Sequence, residues 1–183
     1  MSRIPALDPA DAQGKAHDLL AAVGAALGAT PNLFRVAAQA PAALEGLLGL
    51  STALGGGALS LRQREAVALA VAEANGCDYC LSAHVALARR AGLAEAEVAQ
   101  ARQGHAPDVK TDALLGFARL VVEQRGMVPD GALDDLRALG ISDGVLVEIV
   151  AHVALNTFTN YLNHVAGTDI DFPLVQAGVA RAA

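Results

Sequence analysis

This 183-residue chain holds two cysteines, and both fall in the segment EANGCDYCLSAH as Cys77 and Cys80, with His84 four residues after the second. A thiolate is the reactive form of cysteine, and a neighbouring imidazole takes its proton or steadies its charge. In a helix, residues three and four apart lie on one face, so Cys77, Cys80 and His84 form a single stripe. Free N–H groups and the dipole at the helix start favour an anion on Cys77, whereas His84, one turn beyond Cys80, favours one there. Spacing alone leaves open which sulfur attacks.

Glu65 adds a carboxylate. It precedes an apolar run, residues 66–72, that reads as a helix buried on most sides, so its charge needs a partner. Glu65 lies eleven residues before Gly76 and His84 eight after it. In an antiparallel hairpin turning there, a rise of ~1.5 Å per residue sets the two within about one turn of the same height. A relay of Glu65, His84, Cys80 and Cys77 follows from that register. Glu73, the competing carboxylate, lies about 80° around the same helix and should not share the site.

Plainer readings stand beside this one. Cys77 and Cys80 could be small buried hydrophobes. They could also bind zinc with His84 and either Glu65 or Asp78, although structural zinc sites draw on two separated pairs and no second Cys/His pair has that spacing. Glu65 could be a surface carboxylate served by Arg62 and the helix dipole. Tyr79 offers either a hydroxyl near the dithiol or a ring for packing, and is a secondary candidate. Farther on, His152, Asn156, Asn160 and His164 recur at four-residue intervals in an apolar stretch, with Asn163 beside them. The stripe reads first as a hydrogen-bond ladder or subunit interface, and Asn156 and Asn160 are secondary candidates for the site. His17 and His105 stand in polar or loop contexts and should be exposed.

The elements that must position these residues are helices. Hydrophobic residues make up 54% of the chain, much of it alanine, tryptophan is absent and aromatics are 3%, a mix suited to closely packed helices. The expectation is one all-α domain over residues 1–183, with the motif region at about 41–125. Punctuation predicts helices over residues 9–27 up to Gly28, a short one after Pro31, and one from Pro41 to near Leu54. Ser60 and Gln63 form a capping-box signature for the next, which ends at Asn75-Gly76. Cys77 opens the following helix to about Arg90. Helices over 94–103, 108–125 and 130–139 lead to a long one capped by Ser142, and the tail GTDIDFP is too rich in turn formers to continue it.

A net charge of -6 without a long Lys/Arg cluster argues against nucleic acid and anionic membranes as partners. The first residues lack the apolar core of a signal peptide, and the run 66–72 is far short of the ~20 residues that span a bilayer. A cytoplasmic protein without a membrane span is expected. In a reducing compartment a Cys-x-x-Cys pair is a redox or metal pair rather than a permanent staple.

With these residues in place the sequence resembles the AhpD-like alkylhydroperoxidases of the carboxymuconolactone decarboxylase superfamily. The family pattern, a glutamate, eleven residues and then Cys-x-x-Cys-x-x-x-His, falls on Glu65, Cys77, Cys80 and His84. The segments NGCDYCLSAH and TNYLNHVAGTDIDFP look like a branch often labelled peroxidase-related. The resemblance implies an AhpD-like helical bundle whose central antiparallel hairpin carries the motif, assembled as a trimer or hexamer. It also implies a cofactor-free thiol peroxidase in which Cys80 attacks a hydroperoxide, Cys77 resolves the sulfenic acid as a disulfide, and Glu65 and His84 move protons. A lipoylated or thioredoxin-like protein is the reductant it implies. The best-known AhpD proteins have a histidine before the second cysteine; Tyr79 stands there here. A decarboxylase-like lyase and a non-enzymatic redox-sensing or zinc-binding oligomer are the alternatives.

Overall fold

The computed structural model describes residues 2–178, and every regular element among them is helical. They are α1 (Gly14–Leu27), α2 (Asn32–Ala37), α3 (Pro41–Gly55), α4 (Leu61–Ala74), α5 (Asp78–Arg90), α6 (Glu95–Arg102), α7 (Val109–Glu123), α8 (Asp130–Ala138) and α9 (Asp143–Ala166). The all-α expectation holds. The first helix starts later than residue 9, because residues 8–12 close a turn of their own: the Asp8 carbonyl accepts from Asp11 and Ala12, and its carboxylate from Ala10. Extended Gln13 then separates that turn from α1, whose first residue, Gly14, stands at φ +54°.

Helix α4 lies at the centre, with residues 66–73 buried and α5, α6, α7 and α9 packed around it. Its alternating alanines keep it slim enough for four neighbours. Ser60 and Gln63 make the expected capping box. The Glu148 carboxylate of α9 accepts from the Ala58 and Leu59 N–H groups at 2.7 and 3.0 Å, fixing where α4 begins. A second, smaller apolar cluster joins α1 to α3 around Leu20 and Leu44 and meets α9 at Leu162.

Helix α9, unlike the run 66–72, is long and apolar enough by length and composition to cross a bilayer. Its inner side nevertheless carries buried His152, Asn156, Thr159, Asn160 and Asn163 against the rest of the fold, as a core helix would. The tail after Gly167 is not helical and runs back over α5, where Ser82 Oγ accepts from Val175 N–H and Asp78 Oδ1 from Ala177 N–H.

One buried charge holds several of these pieces. Glu73 is buried and meets Arg102 of α6 at 2.7 Å, while its other oxygen accepts from Gly178 N–H and Arg102 also donates to the Gln176 carbonyl. Arg102→Ala leaves a buried carboxylate without its cation, which costs about 3 kcal/mol, the low end for such pairs because Arg102 is partly exposed. For a chain of this size that lowers the melting temperature by roughly 10 °C in a thermal scan. A change under about 2 °C would show that the pair is not stabilising.

Candidate active site

The turn between α4 and α5 delivers the first thiol. Asn75 ends α4, Gly76 takes the left-handed conformation at φ +66°, and two bonds close it: Gly76 N–H to the Glu73 carbonyl and Cys77 N–H to the Ala72 carbonyl. This is a Schellman motif, in which a side chain at 76 would be strained. Cys77 therefore caps α5 rather than lying inside it, and its Sγ accepts from the Cys80 N–H at 3.4 Å.

Both cysteines are free thiols and almost fully buried, Cys77 at 1% exposure and Cys80 at 3%. On the far side of the Cys80 sulfur stands α9, whose Asn163 Nδ2 donates to Sγ at 3.3 Å. Thr159 Oγ1 is 4.0 Å from Sγ but donates its own hydrogen to the Asn156 carbonyl at 2.9 Å. One turn along α5, His84 Nδ1 meets Glu65 Oε2 at 2.9 Å, as the hairpin register requires. His84 and Glu65 are the partly exposed members, with 22% and 13% of their side chains reaching solvent.

The two thiols are electrostatically unequal. The hydrogen bond from Cys77 lowers the Cys80 pKa to about 6, against burial and with help from the His84 charge and the Asn163 and Asn160 amides. Cys77 moves the other way, pushed far up by that shared hydrogen bond, by burial and by the charge of Cys80. Burial works against a charged His84, but Glu65 and Cys80 outweigh it and the imidazole pKa is raised. The balance favours an anion on Cys80 that accepts from the Cys77 thiol, and Glu65 favours the charged form of His84 nearby. The helix start, which favours an anion on Cys77, is opposed by that hydrogen bond and by burial.

The other candidates divide. Tyr79 turns to α2, where its hydroxyl accepts from Leu33 N–H at 3.0 Å and its ring meets Phe172 edge-on at 5.8 Å, so its visible role is packing. Asn156 donates to the His152 carbonyl within its own helix. Asn160 Oδ1 accepts from Asn75 Nδ2 at 2.8 Å, and His164 Nε2 donates to the Gly76 carbonyl at 3.3 Å, so both brace the α4–α5 turn. The ladder reading of this stripe is therefore too narrow: Asn163, the residue beside it, touches the sulfur. Its periodicity with Asn156 and Asn160 on an apolar helix was the available signal. Arg62 pairs with Glu97 and the Gly92 carbonyl instead of Glu65. Among the described residues no three His, Cys, Asp or Glu side chains gather as ligands for a metal ion. His17 and His105 are exposed.

Residues 38–124 match the model of the carboxymuconolactone decarboxylase family. The whole fold also superposes on a peroxidase-related AhpD-core protein from Ralstonia eutropha JMP134, with a TM-score of 0.83, 25% identity, and 93% of this chain and 92% of that one covered. Residues 38–124 thus carry the carboxymuconolactone decarboxylase family's region, and the fold around them is that of the AhpD core. A peroxidase-related protein from Silicibacter sp. TM1040 shares the fold at TM-score 0.79 and 21% identity, over 91% of this chain and 88% of that one. The debrominase Bmp8, solved as a cysteine-to-alanine variant with 2,3,4-tribromopyrrole, does so at TM-score 0.77 and 22% identity, over 92% and 91%. No curated protein matches the chain.

Proposed function

We propose that this protein is a thiol-dependent peroxidase that reduces hydroperoxides through a Cys77–Cys80 disulfide. The observation that carries the reading is geometric: a buried Cys80 whose sulfur accepts from Asn163, with Cys77 at the cap of the same helix and the Glu65–His84 pair one turn along, a setting that lowers the Cys80 thiol pKa to about 6. The Cys80 thiolate attacks the distal peroxide oxygen, an S–O bond forms as the O–O bond breaks, and the departing alkoxide takes a proton from His84. Sulfur loses the two electrons that the peroxide gains. Cys77 then attacks the sulfenic acid, an S–S bond replaces the S–O bond, and water leaves. No cofactor is needed, and a lipoylated or thioredoxin-like protein in the cytoplasm returns two electrons by thiol–disulfide exchange.

The partner expected by resemblance is a second copy of the chain. The outer face of α9 exposes Val147, Val150, Phe158, Tyr161 and Val165, and with Ala154 these repeat at the 3-4 spacing of a helix–helix seam. No Asp, Glu, Lys or Arg occurs from residue 149 to 165, so pairing this face desolvates no formal charge. Sedimentation should give a mass that is a multiple of the chain's and falls to that of one chain in Phe158→Asp. A monomeric parent would contradict the pairing.

The activity is tested by following hydroperoxide loss under excess dihydrolipoamide, with a bromopyrrole as the competing electrophile. Catalytic loss of the hydroperoxide is the expected result. Consumption of the bromopyrrole alone would replace the peroxidase reading with a reductive dehalogenase on the same dithiol, and turnover of neither would remove both.

A further inference from the structure

Asn160 Nδ2 is buried with no hydrogen-bond partner at ordinary distance, yet its amide stands near enough to Cys80 to favour the anion there. Its orientation is set from outside: Asn75, at the end of α4, donates to Asn160 Oδ1 at 2.8 Å, which leaves the amide N–H groups for the other side. Three residues on, the same face of α9 presents Asn163 Nδ2 to the Cys80 sulfur at 3.3 Å. A buried donor without a partner is uncommon in a folded protein, and here the group it can serve is the Cys80 sulfur.

We propose that Asn160 and Asn163 form a two-amide cradle for the Cys80 thiolate, and that this cradle selects Cys80 over Cys77 as the attacking sulfur. That Cys80 attacks rests on the peroxidase reading; that it is the sulfur favoured as an anion rests on the cradle beside the Cys77 hydrogen bond and the His84 charge. The groups around Cys80 are Cys77 at the cap of α5, Tyr79 and His84 on α5, Glu65 of α4 behind His84, and from α9 the neutral Thr159, Asn160 and Asn163. Neutral N–H donors favour the anion and bring no competing charge. Cys77 accepts only the Cys80 backbone N–H. The asparagines make and break no bond, so their role is positioning.

The test needs no peroxide. Alkylation of Cys80 by iodoacetamide, followed against pH by peptide mass spectrometry, gives its thiolate midpoint, near 6 in the parent. Asn163→Leu keeps the volume and removes the donor, and should raise the midpoint by about one unit, slowing alkylation at pH 6.5 about threefold. Asn75→Ala, which frees the Asn160 amide to turn, should move it in the same direction by less. Asn163→Gln, which can still donate, should restore most of the shift. Asn163→Ala, which also lacks a side-chain donor, serves if the leucine variant does not fold. An unchanged midpoint in the variants that keep the parent's circular dichroism overturns the cradle. A shifted midpoint in a protein that turns over no hydroperoxide upholds the cradle and removes only the peroxidase reading.

Discussion

Cys80→Ser loses hydroperoxide turnover by at least about a thousandfold and no longer consumes a single equivalent, whereas Cys77→Ser loses turnover equally but still reduces one equivalent and stops there. The asymmetry follows from the charges. Cys80 is the thiolate and Cys77 the thiol that donates to it. A serine at 77 retains a hydroxyl that can donate to Cys80, so the nucleophile survives. What is lost is the second sulfur that closes the disulfide and ends the cycle. The arrested species is a Cys80 sulfenic acid, which dimedone traps and mass spectrometry locates. A single-equivalent reaction in Cys80→Ser, with none in Cys77→Ser, would reverse the roles.

His84→Ala should lower turnover by about a hundredfold or more, the usual range for losing a positioned proton donor. In the proposed mechanism it removes the acid that protonates the alkoxide, and with it the nearby charge that favours an anion on Cys80. Glu65→Gln separates these effects. Glu65 raises the His84 pKa against the opposing influence of burial, so without its charge burial prevails and the imidazole loses its proton at lower pH. On the proposed mechanism, the parent's activity should rise as pH passes about 6, where Cys80 ionises, and fall where His84 deprotonates. Glu65→Gln should move the alkaline limb to lower pH and narrow the profile, leaving the acid limb close to its place. A limb that stays put would mean that His84 does not supply the proton.

Much of the site was legible because it is local. The Ser60 to Gln63 cap, the Asn75-Gly76 turn and helical spacing fix α4 and α5, and an antiparallel register across one short turn then sets Glu65 against His84. Asn163 was not legible as a contact, because its meeting with Cys80 depends on how α9 is rotated about its axis 83 residues away. The same holds for Arg102 on Glu73 and for the tail across Ser82, which tertiary packing decides. The asymmetry of the thiols was out of reach for another reason: it turns on which sulfur donates to the other at the cap, which spacing does not decide.

The central claim is that Cys77 and Cys80 act as one two-electron pair toward a hydroperoxide. The direct measurement is a free-thiol titre of the reduced, metal-free protein before and after one equivalent of an organic hydroperoxide, with the remaining peroxide assayed in parallel. The account predicts a fall from two thiols to none, an equal loss of peroxide, and recovery of both thiols with dithiothreitol. Two thiols persisting beside unreacted peroxide would contradict it.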